Sequence, residues 1–148
     1  MSKFSRTETG PMLTAREIMT ADVTCVGEGD TLSAAAHTMV RLGVDSLPVR
    51  GADDRIRGML TDRDIMAASV AADRDPAQVT AAEATHDCGA VAADDDAAKI
   101  LRTMGRRRMR RLPVVDGDRL VGVVALADLA WALPDWPVGD LRDAVATP

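Results

Sequence analysis

The chain has 148 residues and a formal net charge of −5, with 18 basic against 23 acidic side chains. Hydrophobic residues make up 47% and aromatics only 2%, so a folded, aliphatic core is expected and base-stacking platforms for single-stranded nucleic acid are not. The acidic balance disfavours general binding to a phosphate backbone, and no stretch approaches the ~20 apolar residues of a membrane span.

Residues 1–11 are polar and expected to be loose, and their opening, Met1 to Arg6, lacks the apolar core of a secretory signal. A cytoplasmic protein is expected. Val23 to Val26 is a short β-rich segment, followed by a Gly27-Glu28-Gly29-Asp30 turn and a helix that Thr31 can cap. Leu32, Ala35, Ala36, Met39 and Val40 fall on one face of that helix. Ser46 to Arg50 and Ile56 to Leu60 read as paired strands around a Gly51 to Asp54 turn. A helix is predicted from about Asp62 to Ala72, with Ile65, Met66, Ser69 and Val70 on one side. A short linker, 73–79, carries Pro76.

The order then repeats. Cys88 to Ala92 reads as a strand, and Asp94, Asp95 and Asp96 are candidate caps. Ala97, Ile100, Leu101 and Met104 form an apolar helical face, and Arg111 to Val115 and Arg119 to Val124 form a hairpin. A last helix runs from near Leu126 to about Leu133, where Pro134 and Pro137 stop it, and a tail containing Trp136 is expected to fold back. Leu47-Pro48-Val49 matches Leu112-Pro113-Val114 at a shift of 65, Gly58 matches Gly122 at 64, and Thr14 to Glu17 matches Thr80 to Glu83 at 66. The organisation expected is a flexible N-terminus (1–11), a first domain (12–72), the linker (73–79), a second domain (80–133) and a tail (134–148). Each repeat is a β-α-β-β-α unit. One alone has a small core and an open sheet edge, so an α+β pair packed sheet to sheet with pseudo-twofold symmetry is predicted.

The Leu-Pro-Val strands, the glycine-containing return strands, the Thr61-Asp62-Arg63-Asp64 turn and the two-copy order resemble a tandem pair of cystathionine-β-synthase (CBS) domains of the stand-alone actinobacterial type. The resemblance implies a regulatory module and not an enzyme. It implies an adenosine-type ligand (AMP, ADP, ATP or S-adenosylmethionine) bound in the cleft between repeats, a homodimer, and a protein partner that reads the bound state. It points to Asp64 as a ribose contact, to Thr61 beside the phosphate, and to Thr20, Val23 and Pro48 as the walls of an adenine pocket. The alternative is a structural or interaction protein of a stress response whose nucleotide sites no longer work.

The residues themselves leave two readings of Thr61 to Asp64. Thr-x-x-Asp is a helix-capping pattern, which alone explains its place. The same groups can hold a ribose and a phosphate, because a carboxylate accepts hydroxyls and a threonine hydroxyl can donate. Gly58 would leave room for a ligand beside the backbone. In the second repeat Ala125 replaces the hydroxyl residue and Asp128 is retained, so a weaker second site is expected. Arg106 to Arg111 places five arginines in six positions. They complement a helix C-terminus, or Arg110 and Arg111 hold a phosphate; nucleic acid ranks last. Cys25 and Cys88 are too few for a disulfide framework and read as buried hydrophobes, as do Met19, Met39, Met59, Met66, Met104 and Met109. His86-Asp87-Cys88 is too sparse for a zinc site within one chain, so no metal is expected, although two chains together would supply more ligands. With His37 and His86 the only histidines, general-base catalysis is not expected.

Overall fold

Helices begin where a threonine or aspartate can accept a backbone amide. In this computed structural model, which describes residues 12–132, Thr31 Oγ1 accepts from Ala34 N (3.1 Å) and opens α2 (Leu32–Leu42). Asp96, rather than Asp94 or Asp95, accepts from Lys99 N (2.9 Å) and opens α5 (Ala97–Arg107). Asp95 instead accepts from Ala92 N and pairs with Lys99. Two one-turn helices, α1 (Ala15–Ile18) and α4 (Ala81–Ala84), start at the matching threonines Thr14 and Thr80. The remaining elements are β1 (Thr20–Ala21), β2 (Val26–Gly27), β3 (Ser46–Arg50), β4 (Ile56–Thr61), α3 (Asp62–Ala68), β5 (Val91–Ala92), β6 (Arg111–Asp116), β7 (Arg119–Ala125) and α6 (Leu126–Ala132).

The chain divides into two compact units, and they do not coincide with the sequence repeats. One is Thr24–Cys88; the other joins the residues up to Val23 to those from Gly89 onward. The domain bounds 12–72 and 80–133 therefore describe the repeat and not the folded unit. The physical reason is strand pairing. Each lead-in segment joins the sheet of the other repeat.

In the Thr24–Cys88 unit the sheet order is β2-β3-β4, with β2 parallel to β3 and β3 antiparallel to β4. The lead-in of the second repeat extends this sheet through an antiparallel bridge between Met59 and His86. It is anchored further by Ala81 N to Asp30 O (2.7 Å) and Leu32 N to Val79 O (2.8 Å). Leu32, Ala35, Met39, Leu47, Val49, Leu60 and Val79 form the core. The linker is ordered here: Asp75 caps a 3-10 turn, Pro76–Gln78, and Val79 is fully buried.

The other unit repeats the plan. Its sheet is β1-β7-β6-β5, with β1 (the lead-in of the first repeat) antiparallel to β7. Ala15 N donates to Asp95 O (2.8 Å), and Ala97 N to Leu13 O (3.0 Å). Ile100, Leu101, Met104, Leu112, Val114, Val124 and Leu129 are buried.

Several local expectations change. The first strand of each repeat is two residues long, not four or five. Helix α3 stops at Ala68; beyond Ser69, whose hydroxyl bonds back to Ile65 O, the i−4 pattern gives way to Ala71 N to Met66 O and Ala72 N to Ser69 O. Val40, Met66 and Val70, assigned to apolar faces, are 84%, 56% and 74% exposed. Met39, Met59 and Met104 are core residues, Met19 and Met109 are half-buried, and Cys88 is buried and Cys25 half-buried; neither cysteine forms a disulfide. Leu133, Pro134, Trp136, Pro137 and the N-terminal residues 1–11 lie outside the described residues.

Candidate functional site

Strand β4 delivers Thr61 to the start of α3, and the two readings of Thr61-x-x-Asp64 meet there. Thr61 Oγ1 accepts from Asp64 N (3.1 Å), and Asp64 Oδ2 accepts from Thr61 N (2.9 Å). This is a complete reciprocal capping box, so the capping reading is realised. It occupies one lone pair of one carboxylate oxygen. The other, Oδ1, faces His86 Nδ1 at 3.4 Å. Asp64 is 17% exposed and His86 53% exposed.

Two hydroxyls on the neighbouring segments lack partners. Ser46, opposite Thr61 in the β3–β4 register, and Thr85, next to His86, each have a solvent-shielded side-chain oxygen with no hydrogen bond. Buried hydroxyls without partners are uncommon and mark places where a water or ligand atom completes the structure. Pro48 is buried on β3, in one row with Met59 and His86 across the sheet. Thus Pro48, Thr61 and Asp64 belong to one unit, together with Ser46, Thr85 and His86, which sequence reasoning had not assigned to the site. The signal for His86 was present: it matches Thr20 at the shift of 66 that relates the two lead-ins.

Gly58 serves a different purpose from the one expected. Its φ is +147°, and a Cβ there would lie 2.3 Å from His86 O. The space it provides is filled by the backbone of the added lead-in and not by a ligand. Gly122 plays the same part in the other unit, where a Cβ would lie 2.6 Å from Thr20 O and from Met19 Sδ.

The second corner gathers Thr20, Ala125, Asp128, Arg110 and Arg111. Asp128 Oδ2 accepts from Ala125 N (2.8 Å), so half of the capping box survives without its hydroxyl. Arg111 lies opposite Ala125 in the β6–β7 register, and Arg110 O accepts from Leu126 N (2.7 Å). Thr20 pairs with Val123, two residues before Ala125. Thr20 and Val23 therefore belong to the unit that holds Asp128, not to the one that holds Asp64. The adenine-pocket set Thr20, Val23 and Pro48 is divided between units, because the lead-ins are exchanged. Arg106 to Arg108 end α5, and all three are exposed.

Among the described residues no three His, Cys, Asp or Glu side chains converge as a metal site. Burial pushes the Cys25 thiol up, only partly offset by the positive charge of Arg50. Such a thiol is a poor thiolate donor at neutral pH. No helix among the described residues is long and apolar enough to cross a membrane.

Comparison with known proteins places these corners in context. The chain is 44% identical over 138 residues to hypoxic response protein 1 of Mycobacterium tuberculosis, covering 93% of this chain and 96% of that protein. The crystal structure of hypoxic response protein I, described with two coordinated zinc ions, superposes with a TM-score of 0.76 and 45% identity over 84% of this chain and all of that one. The fold is also shared with CBSX2, solved in complex with AMP, at 20% identity and a TM-score of 0.69 over 82% of this chain and 96% of that one. The CBS domain model matches residues 15–71 and again 80–135, the same doubling seen in the capping corners and exchanged lead-ins. The chain belongs to the CBS-domain family, as a tandem pair.

Proposed function

We propose that the chain is a regulatory CBS pair that binds an adenosine-type ligand (AMP, ADP, ATP or S-adenosylmethionine) and passes the bound state to a protein partner. The observation that carries this reading is Asp64. It is a largely buried carboxylate with one oxygen held by its own cap and the other facing His86, and two unpartnered hydroxyls, Ser46 and Thr85, lie on the neighbouring segments. A carboxylate so held can accept ribose hydroxyls. AMP in the CBSX2 structure supports the ligand class. Asp128, without the cap hydroxyl, is the weaker contact, and Arg110 and Arg111 at its corner suit a phosphate. Thr20 and Val23 would contribute to the Asp128 corner, and Pro48 to the Asp64 corner.

Titration calorimetry with AMP, ATP and S-adenosylmethionine tests this. Asp64→Asn keeps an oxygen for the Thr61 amide and removes the charge. It should weaken binding about tenfold or more, an effect of the size expected for a lost charged hydrogen bond. Asp128→Asn should have a smaller effect. Equal binding by wild type and Asp64→Asn removes Asp64 from the site.

The second reading is an interaction protein of a stress response with degenerate nucleotide sites. The complete cap at Asp64 favours it to this extent: the motif has a structural reason to persist without a ligand. A thermal-shift screen separates the two, since millimolar adenine ligand must raise the Tm of a true sensor by mass action. We also propose a homodimer, supported by exposed Val40 on α2, Met66 on the adjoining α3 and Val70 just beyond its end. Sedimentation of Val70→Glu against wild type checks it; a monomeric wild type refutes it.

A further inference from the structure

We propose that His86 is a proton-dependent gate on Asp64, which must move before that carboxylate can take a ribose diol. This rests on the reading of Asp64 as a ribose contact and adds the regulation of that contact. Asp64 Oδ2 already accepts from Thr61 N, so Oδ1 is the oxygen with both lone pairs outside the cap. His86 Nδ1 already faces it at 3.4 Å, from the more exposed side of the pair. The backbone of His86 is fixed, because its carbonyl packs over Gly58 and it bridges to Met59. Only the imidazole can swing, so opening requires a side-chain rotation and no rearrangement of the sheet.

Charge makes the gate depend on pH. A protonated imidazole against Asp64 strengthens the closed pair; a neutral one gives up the carboxylate more readily. The surrounding charged groups do not replace Asp64 in this role. On β4, Arg57 is tied to Asp53 and Glu28. On α4, Glu83 is tied to Arg74. Asp62 and Arg63 at the start of α3 are exposed, and Asp45 precedes β3. Asp87, exposed and next in the chain, has the same sign as Asp64. The other corner is the internal control. Its equivalent of His86 is Thr20, which carries no charge, and among the described residues Asp128 has no histidine beside it.

The test uses adenosine on the full chain, which offers the diol without a phosphate that would itself titrate or attract an imidazolium. Affinities are measured at about pH 6 and about pH 8, on either side of the ordinary histidine range. The variants are His86→Thr, copying the other corner, and Asp128→Asn, which isolates the first. Wild type and Asp128→Asn should bind several-fold tighter at the higher pH, up to about tenfold for one unit of coupling. His86→Thr should bind equally at both, at the tighter value. An unchanged pH dependence in His86→Thr, or tighter binding by wild type at low pH, overturns the gate while leaving Asp64 as a contact. No adenosine binding by any form at either pH overturns both.

Discussion

The two corners of this molecule share a backbone plan and differ in almost every functional side chain. One holds Asp45, Ser46, Thr61, Asp64 and His86. The other, at the equivalent positions, holds Arg110, Arg111, Ala125, Asp128 and Thr20. The aspartate survives in both, and in both it accepts the amide three residues before it. What changes is the charge and the hydroxyl around it. The shared part caps the helix start, and under the proposed function any discrimination between ligands would lie in the parts that differ. The first corner is acidic with a histidine against its carboxylate; the second is basic with a shorter neighbour.

The largest expected effect comes from the glycines that admit the exchanged lead-ins. Gly58→Ala forces a Cβ onto His86 O and places it at a φ that L-residues rarely adopt. A cost of about 3 kcal/mol is expected, or loss of folding. Gly122→Ala meets the flexible Met19 side chain as well as Thr20 O, so it should cost less. Urea unfolding of the two variants checks the order. Equal, small costs would mean that the lead-ins are not held where the structure puts them, and the comparison of corners would fail with them.

Next is the hydroxyl itself. Thr61→Ala converts the first corner's cap into the second's and should cost about 1 kcal/mol; Ala125→Thr should restore a full box and add a similar amount. Both are read as shifts of the urea midpoint at unchanged slope. If Ala125→Thr also tightens nucleotide binding, the missing hydroxyl is a functional loss as well as a structural one. If it stabilises and leaves binding unaltered, Thr61 is a cap and nothing more.

Much of this asymmetry was legible in the sequence, and the reasons are local. The Leu-Pro-Val strands, the hairpin turns and the caps at Thr31 and Thr61 follow from residue types a few positions apart. The exchange of lead-ins was not legible, because it depends on Thr20 meeting Val123 and His86 meeting Met59, pairings far apart in sequence or between repeats. The exchange groups Thr20 and Val23 in one unit with Asp128, and it brings His86 to the unit of Asp64. The exposure of Val40, Met66 and Val70 has a similar cause: helical spacing identifies an apolar face but not what covers it.

The smallest effect compares the lead-ins themselves. Glu17 and Glu83 hold equivalent positions in α1 and α4, and each accepts from the threonine amide three residues back at 2.9 Å. Glu83 is held below the usual carboxylate range by that amide, and further by Arg74 at 3.1 Å. A carboxyl with a depressed folded pKa contributes stability that is present above its unfolded value and lost as pH falls through the folded one. Glu83→Gln should therefore be felt at neutral pH and vanish in acid, below the ordinary glutamate range. The group is exposed, so the effect will be small and will shrink further with added salt. Because the lead-in carrying Glu83 also carries His86, loosening it should weaken the hold on Asp64, whereas Glu17→Gln should act only on the unit that contains Asp128. A Glu83→Gln variant whose stability deficit persisted unchanged into acid would show that the cap acts through packing and not through its charge.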